Sequence, residues 1–492
     1  MSLISVRNLT FSYDGGYKNV FENVSFQIDT EWKLGFVGRN GRGKTTFLNL
    51  LFGKYEYAGK IAANVEFTYF PFEVRGKKRE VSQILQELCP AAEEWEFIRE
   101  LSYLQTSPEI LYRPFSELSS GEQTKILLAG LFLKPNNFLL IDEPTNHLDA
   151  DARQTVSNYL KKKKGFILIS HDRLFLDGCV DHILSINKTN IEVQAGNFSS
   201  WFENFENKQK NETAQNKKLK NEIAKLKEAA KRTASWAAQT EASKYGVASS
   251  GLKPDRGYVG HKAAKLMKQA KNTEARQLAA IEQKSELLQN AETADNLKLS
   301  PLVFRHNKLL EFSNIKINYG NKKICPPVSF ALGQGERIAL QGKNGCGKSS
   351  VLKLALGENV PHTGTVYLPS GLIISYVSQT NENLKGTVSH FAKEHKIDES
   401  LFRAILNKMG FSKTDCDGDI STYSEGQKKK VALAKSLCEK AHIYVWDEPL
   451  NYLDIYSRMQ IEKLILEYRP AMLFVEHDIA FQNAVATKTV KI

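Results

Sequence analysis

The chain has 492 residues, of which 42% are hydrophobic and 25% are charged. This composition supports about three globular units and excludes a disordered or fibrous chain. The six cysteines form no C-x-x-C pair, which argues against a disulfide framework or a zinc or iron–sulfur site. No apolar run reaches the roughly 18 residues of a membrane helix, so we expect a cytoplasmic protein. The net charge of +12 indicates either a polyanionic partner or surface charge unrelated to binding.

One set of sequence motifs occurs twice along the chain at nearly constant offset. GRNGRGKT at 38–45 returns as GKNGCGKS at 342–349, and LLIDEPTNHLD at 139–149 returns as YVWDEPLNYLD. LSSGEQ and ISHD return in the same order as YSEGQ and VEHD. The repetition predicts a duplicated domain. We assign the two copies to residues 1–200 and 301–492, with a linker at 201–300.

In each copy, a strand-like run directly precedes a G-x-x-x-x-G-K-[ST] string. The glycines let backbone N–H groups wrap phosphate oxygens at the start of a helix. Lys44 and Lys348 are placed to reach the β and γ phosphates of a nucleotide, and the next hydroxyl to ligate Mg²⁺. The predicted ATP-binding residues of the two loops are Gly38, Asn40, Gly41, Gly43, Lys44, Thr45 and Thr46, and Gly342, Asn344, Gly345, Gly347, Lys348, Ser349 and Ser350.

Further along each copy, four apolar residues precede a pair of acids, the pattern of a buried parallel strand that carries carboxylates at its C-terminal end. Asp142 and Asp447 suit the Mg²⁺ shell together with Thr45 and Ser349. The next residues, Glu143 and Glu448, are placed to orient or deprotonate the attacking water. A strand-end acid can instead cap a helix, but the preceding phosphate loops favour the catalytic interpretation.

These motifs resemble those of ATP-binding-cassette ATPases, and the tandem arrangement with EPTNHLD resembles their ABC-F subfamily. The resemblance implies an α/β fold with two P-loop cassettes, ATP hydrolysis, and ATP and Mg²⁺ as cofactors. It also implies a monomer in which two nucleotides are sandwiched head to tail, each phosphate loop facing the signature sequence of the other cassette. The signature residues are Ser119 and Gly121 in the first cassette and Ser424 and Gly426 in the second.

The resemblance assigns further ligands of the nucleotide. His171 and His477 resemble the switch histidines that contact the γ phosphate, although a lone histidine is more often structural. Gln379 resembles a glutamine that serves both Mg²⁺ and the γ phosphate. Tyr13 and Tyr319 either stack on adenine or belong to the core.

Two positions depart from the family pattern. Phe72 stands in the first cassette where that glutamine is expected, and Glu425 replaces a signature glycine in the second. Both departures fall on the site that Lys44 and Glu143 would share with Gly426. We therefore expect this site to hydrolyse ATP more slowly than the other.

The linker has a composition of its own. Gly and Pro are absent from 201–245 and from 261–300 but cluster between them, which predicts a long antiparallel helical hairpin with a tip loop near 245–261. Forty residues of helix reach about 60 Å. The segment 201–300 has 19 basic and 12 acidic residues. Such a helix is commonly just solvated, but interleaved aromatic residues favour contact with RNA.

ABC-F proteins act on bacterial ribosomes, with the linker entering the tRNA exit region towards P-site tRNA and 23S rRNA of the large subunit near the peptidyl-transferase centre. The opening MSLISVRNLTFSYDGG and the segments YFPFE and DRGYVGHKAAK resemble the Lsa group of antibiotic-resistance proteins, which dislodge lincosamides, pleuromutilins and streptogramin A compounds. The candidate ribosome and tRNA contacts are Lys231, Arg232, Trp236, Lys244, Tyr245, Lys253, Arg256, Tyr258, Lys262 and Lys265.

Two other classes of cassette ATPase share part of this pattern. Tandem cassettes also serve as the energy-coupling ATPase subunit of a membrane importer, but those chains have little between their cassettes, and we expect no membrane partner here. DNA-repair cassette ATPases carry zinc modules or very long coiled coils, which this sequence lacks.

Overall fold

A computed structural model describes residues 2–13, 19–145, 148–187, 190–242, 265, 268, 276, 299–319, 322–323, 326–343, 345–380 and 384–492. It divides the chain into two compact units. Unit 1 comprises Met1–Trp201 and Asp295–Ile492 and therefore holds both copies of the repeat, whereas unit 2 comprises Phe202–Ala294.

The first copy alternates strands and helices. Its strands are β1 (Leu3–Phe11), β2 (Phe21–Asp29), β3 (Lys33–Val37), β4 (Ala58–Ala62), β5 (Glu66–Phe70), β6 (Asn137–Asp142), β7 (Phe166–Ile169), β8 (His182–Ile186) and β9 (Ile191–Ala195). Its helices are α1 (Lys44–Leu51), α2 (Val81–Leu88), α3 (Glu94–Tyr103), α4 (Ser120–Leu131), α5 (Ala150–Lys161) and α6 (Arg173–Cys179), with short 3-10 turns at Pro108–Tyr112 and Phe115–Glu117.

Two sheets organise this copy. An antiparallel sheet has the strand order β2-β1-β4, and a second sheet has the order β5-β6-β7-β3-β8-β9, in which only β9 runs antiparallel to its neighbour. The run Phe138–Ile141 of β6 is buried along its whole length, as expected for a parallel sheet that is covered on both faces. One apolar core joins the two sheets to α1.

The second copy repeats this plan after α7 (Phe198–Ala242). Its strands are β10 (Lys308–Tyr319), β11 (Lys322–Lys323), β12 (Val328–Gly333), β13 (Arg337–Gln341), β14 (His362–Tyr367), β15 (Ile374–Val377), β16 (Ile443–Asp447), β17 (Met472–Val475) and β18 (Lys488–Lys491). Its helices are α8 (Lys348–Ala355), α9 (Val388–Glu394), α10 (Glu399–Lys408), α11 (Lys413–Asp417), α12 (Glu425–Cys438), α13 (Ile455–Tyr468) and α14 (Ile479–Val485), with a 3-10 turn at Ile420–Thr422.

The parallel sheet of the second copy has the order β15-β16-β17-β13-β18, and β10 pairs antiparallel with β11, β12 and β14. The order β6-β7-β3 in one copy therefore matches β16-β17-β13 in the other. The predicted fold class, two α/β P-loop cassettes, is confirmed.

The linker is described along its first helix and at three later residues. Helix α7 is 45 residues long, and Arg232 on it is exposed with its guanidinium 2.6 Å from the Glu228 carboxylate. Lys265 is exposed and helical. The predicted tip loop near 245–261 and the side chains of Lys231 and Trp236 lie outside the described residues, as do Lys244, Tyr245, Lys253, Arg256, Tyr258 and Lys262. Among the described helices, none is both long enough and apolar enough to cross a bilayer.

A buried carboxylate joins α3 to the end of α5 in the first copy. Glu100 is only 2% exposed, and its Oε2 accepts hydrogen bonds from the Tyr159 hydroxyl at 2.6 Å and from Lys163 Nζ at 2.5 Å. The neighbouring Lys164 instead pairs with Glu31 on the surface, at 2.9 Å. Removing one partner of a buried charge leaves it undersolvated, whereas an exposed pair contributes little.

We therefore expect Lys163→Met to lower the free energy of unfolding by about 1–3 kcal/mol. Lys164→Met is the matched control and should cause no measurable change, because Glu31 remains in water. Urea unfolding of the two variants and the parent measures the difference. Equal midpoints for all three proteins would contradict the role given to Glu100.

Candidate nucleotide sites

The phosphate loops place a lysine at the start of a helix in both copies. Gly43 directly precedes α1 with φ of 96°, a left-handed conformation that favours glycine. Lys44 is buried, and its Nζ donates to the carbonyl oxygens of Gly38 at 2.7 Å and Arg39 at 3.2 Å. Burial lowers the pKa of Lys44. The loop thus surrounds its own ammonium group, whose donors could turn to nucleotide phosphates.

The second loop has the same construction. Gly347 precedes α8 with φ of 99°, and Lys348 Nζ donates to Gly342 O at 2.8 Å and to Lys343 O at 2.9 Å. Asn344 lies outside the described residues.

The acids at the ends of β6 and β16 meet the hydroxyls that follow these lysines. Thr45 Oγ1 donates to Asp142 Oδ2 at 2.9 Å. In the other copy, burial raises the pKa of Asp447, and a hydrogen bond from Ser349 opposes that shift. Asp447 Oδ1 is buried and accepts no hydrogen bond from the described residues. Hydroxyl and carboxylate oxygens are the ligands that Mg²⁺ prefers, so both sites fit a magnesium nucleotide.

The two catalytic candidates share an unusual backbone conformation. Glu143 and Glu448 have φ of 50° and 46°, in the left-handed region that non-glycine residues rarely adopt. Their amides donate across the sheet to Ile169 O and Val475 O, at 2.9 Å in each case. These bonds hold both strained residues in place, and strain of this kind is concentrated at functional sites.

Each of these glutamates lies beside the predicted switch histidine. His171 Nε2 is 3.3 Å from Glu143 Oε1, and His477 Nε2 is 3.4 Å from Glu448 Oε1. The structure therefore places each predicted catalytic glutamate next to the predicted switch histidine of its own cassette.

The pKa values of the two glutamates nevertheless shift in opposite directions. Burial raises the pKa of Glu143 to about 8, and the neighbouring charge of Asp142 acts in the same direction. Burial alone would also raise the pKa of Glu448, but hydrogen bonds from His477, Gln379 and Asn451 lower it to about 2. The Asn451 amide donates to Glu448 Oε2 at 2.7 Å. Burial therefore favours the protonated form of Glu143, whereas hydrogen bonding favours the ionised form of Glu448.

Both phosphate loops open into cavities lined by residues of the two cassettes. The first cavity has a volume of about 480 Å³. Its predicted nucleotide ligands are Tyr13, Asn40, Gly41, Gly43, Lys44, Thr45, Thr46, Asp142, Glu143 and His171 from the first cassette and Gly426 from the second.

The second cavity, of about 990 Å³, has the opposite composition. Its predicted ligands are Ser119 and Gly121 from the first cassette and Gly345, Gly347, Lys348, Ser349, Ser350, Gln379, Glu448 and His477 from the second. Within unit 1, each cavity therefore combines one phosphate loop with the other cassette's signature, as the head-to-tail arrangement requires.

Direct contacts join the cassettes at the first cavity. Asn40 Nδ2 donates to Tyr452 O at 2.8 Å, and Arg173 on α6 forms an ion pair with Glu462 on α13 at 2.5 Å. The signature serines cap helices: Ser119 precedes α4 and Ser424 precedes α12, each accepting from the amide three residues on. These caps fix the N-terminus of each helix. The N-terminus of a helix favours a negatively charged group.

Of the two tyrosines predicted to stack on adenine, the structure describes the side chain of Tyr13. Tyr13 is 46% exposed at the first cavity, with its hydroxyl 2.7 Å from Thr46 Oγ1 and its ring edge-on to Phe11 at 5.1 Å. One ring face at an open cavity suits base stacking. The side chain of Tyr319 lies outside the described residues.

Sequence reasoning missed Tyr69 on β5. Its hydroxyl donates to Asp142 Oδ2 at 2.8 Å, so one carboxylate oxygen accepts from both Tyr69 and Thr45. Phe72 lies three residues later in the loop that lacks glutamine. No signal in the sequence marked Tyr69, because its partner is 73 residues away.

Sequence reasoning also missed one arginine in each copy. Arg458 lines the first cavity and donates to Leu453 O at 3.0 Å and Asp478 Oδ2 at 3.1 Å. Arg153 lines the second cavity and makes the equivalent bonds in its own cassette. Each arginine follows the aspartate of an L-D dipeptide by four residues, a signal that comparing the two repeats could have found.

Comparison with known proteins assigns both copies to one family. Residues 21–146 and 325–451 each match the family described as ABC transporter, which together is half of the chain.

Curated relatives extend this similarity to nearly the full length. The chain is 28% identical over 545 residues to an uncharacterized ABC transporter ATP-binding protein, YfmM of Bacillus subtilis, covering 99% of this chain and 98% of YfmM. It is 28% identical to the probable ATP-binding protein YheS of Escherichia coli, covering 94% and 75% of the two chains. It is also 26% identical to the ribosome protection protein VmlR of Bacillus subtilis, covering 96% and 83%.

Solved structures support the fold. A structure of the archaeal ribosome recycling factor aABCE1 in complex with the ribosomal stalk protein aP1 matches with a TM-score of 0.63 at 17% identity, covering 98% of this chain and 87% of that chain. A structure named RNase-L Inhibitor matches with a TM-score of 0.62 at 18% identity.

The contrast between Glu143 and Glu448 leads to a kinetic prediction. Glu448→Gln removes an ionised base and should slow ATP turnover at least about 10²-fold. Glu143→Gln replaces a carboxyl whose burial favours the protonated form with an amide of the same shape, so it should slow ATP turnover several-fold less. Single-turnover rates of the two variants measure this, with binding of a fluorescent ATP analogue as the control for folding. Equal losses would show that the sites do not differ.

Proposed function

This chain belongs to the ABC transporter family, and we propose that it is an ABC-F ATPase that acts on the bacterial ribosome rather than on a membrane transporter. The protein is an ATPase with two ABC cassettes that uses ATP and Mg²⁺. The proposal concerns what that hydrolysis drives.

The observation that carries the proposal is the full-length similarity to VmlR, whose name describes ribosome protection. The match covers 96% of this chain, so it includes the linker as well as the cassettes. A relative that shared only the cassettes would leave the linker unexplained.

The length and charge of the linker favour a partner with an extended, charged surface. Helix α7 has 45 residues, which correspond to about 67 Å at 1.5 Å per residue. Its described side chains after Phe205 are mostly exposed, and the 201–300 segment supplies 19 of the 67 basic residues. Lysines and arginines on an exposed helix suit RNA phosphates, to which they contribute salt-dependent affinity.

In this proposal, the two cassettes close on ATP and open after hydrolysis while the linker contacts P-site tRNA and 23S rRNA from the tRNA exit region. Because the opening sequence, YFPFE and the tip segment resemble the Lsa group, the outcome is displacement of lincosamide, pleuromutilin and streptogramin A antibiotics from the peptidyl-transferase centre. The domains in this proposal are residues 1–200, 201–300 and 301–492, and the protein works as a cytoplasmic monomer.

The importer alternative is not favoured. An energy-coupling subunit would need a membrane partner, and it would give the long basic linker no role. Ribosome association, in contrast, uses both the cassettes and the linker.

Trapping the closed state tests the ribosome partner. The Glu143→Gln/Glu448→Gln variant should bind ATP but hydrolyse it at least about 10²-fold more slowly, and so remain on ribosomes. Co-sedimentation with bacterial ribosomes in ATP measures this, with ADP as the matched control. Failure to co-sediment with ATP would reject the ribosome proposal while leaving the ATPase assignment intact.

The tip of the linker should decide drug relief. Deleting residues 247–259 should leave ATP turnover and most ribosome binding unchanged but abolish protection, because the cassettes and the linker segments on either side of the deletion remain. Growth in lincomycin or tiamulin measures protection. Tyr258→Ala should reduce it partially, since stacking contributes about 1–3 kcal/mol per base. Full protection by the deletion variant would show that the tip only turns the chain.

A further inference from the structure

Two buried charges lie beside the catalytic pair of the second cassette. Lys429 on α12 is 1% exposed, and Glu476, directly after β17, is 4% exposed. The offsets of the repeated motifs align Lys429 with Thr124 and Glu476 with Ser170. The charges therefore occur in one cassette, and neutral hydroxyl residues occur at both equivalent positions of the other.

Lys429 joins three segments of its cassette through backbone carbonyls. Its Nζ donates to Ser378 O at 2.7 Å and lies 3.4 Å from Gln379 O. It also reaches Asp447 O at 3.2 Å. One ammonium group on the signature helix thus holds the loop of Gln379 and the end of the strand that precedes Glu448.

Glu476 binds two backbone amides of the same cassette. Its Oε1 accepts from the His477 amide at 2.8 Å, and its Oε2 accepts from the Leu450 amide at 3.0 Å. Its charge acts on Lys429 more strongly than that of Asp447. Two buried groups of opposite charge therefore lie in one cassette, and each is held by backbone groups.

The first cassette has a neutral arrangement at this place. Thr145 Oγ1 lies 3.2 Å from Ser170 Oγ, so two hydroxyls meet where the second cassette has Leu450 and Glu476. The glutamine loop of the first cassette carries Phe72 instead. The cassette that lacks the glutamine thus also lacks counterparts of the two charges that hold the Gln379 loop and the His477 backbone in the second cassette.

The two held segments converge on one carboxylate. Gln379 donates a hydrogen bond to Glu448, and His477 Nε2 lies 3.4 Å from it. A buried charge without a partner is strongly unfavourable, so a lysine and a glutamate at these positions stabilise each other. They also fix the loops more tightly than neutral hydroxyls, because hydrogen bonds to charged groups are stronger.

We infer that Lys429 and Glu476 are positioning residues for ATP hydrolysis at the site built on the second phosphate loop. One holds the loop of Gln379, and the other holds the backbone of His477. This pair makes the second site the faster of the two, and it acts without touching the nucleotide.

The test exchanges the charges for the first cassette's own residues. In a Glu143→Gln background, which isolates the second site, K429T, E476S and the K429T/E476S double variant are compared for kcat, KM for ATP and thermal unfolding temperature. Each single variant leaves a buried charge uncompensated and should lower the unfolding temperature. The double variant removes both charges and should recover it.

The kcat of the double variant should stay low even where its unfolding temperature recovers. We expect the double variant to keep a kcat at least about tenfold below its background with KM changed little, because misplaced catalytic groups cost one to two orders of magnitude in rate. K435T is the matched control: it makes the same change on the same helix at Lys435, which pairs with Glu439 away from the site. This control should retain the background kcat.

A double variant with both stability and kcat restored would overturn the proposal, since the pair would then be only structural. Should the double variant unfold below the assay temperature, K429M/E476Q replaces it, because these side chains keep nearly the same volumes without the charges. The same reduction in kcat supports the inference, and background kcat in K429M/E476Q overturns it.

Discussion

The pairing of β3 with β7, and of β7 with β6, is the constraint on which both ATP sites depend. Parallel strands end at the same edge of a sheet, so the phosphate loop after β3 and the acids at the end of β6 must meet there. The bond from Thr45 to Asp142 is the direct result, and β13, β17 and β16 repeat the arrangement. Each catalytic glutamate has a left-handed conformation, and its amide donates a hydrogen bond to the last residue of the neighbouring strand.

Because the cassette is duplicated, the chain has two sheet edges of this kind. The two cassettes lie together in unit 1, and each of the two cavities is lined by residues of both. The phosphate loop of one copy faces Gly426 or Gly121 of the other, so closure of either cavity requires the cassettes to approach. ATP binding can therefore be coupled to a motion between the cassettes. In the proposed function, the linker between them transmits that motion to the ribosome.

The two sites share the same strand order but differ in the side chains around the catalytic glutamate. Hydrogen bonds from polar groups lower the pKa of Glu448, whereas burial and a neighbouring aspartate raise the pKa of Glu143. The aromatic residue in place of glutamine, the altered signature and the neutral counterparts of Lys429 and Glu476 all affect the Glu143 site or its cassette.

The sequence by itself determined the duplicated α/β fold, the phosphate loops, and the glutamate and histidine candidates of both sites, because each motif is local and occurs twice. It also marked Phe72 as a departure. It did not reveal that the Tyr69 hydroxyl reaches Asp142, that Arg458 lines the opposite cassette's cavity, or that Lys429 holds the Gln379 loop. Those contacts join residues 50 or more positions apart, or belong to different cassettes, and carry no local pattern. The protonation of Glu143 and Glu448 was likewise decided by tertiary structure, because burial and hydrogen bonding depend on which side chains the fold brings together.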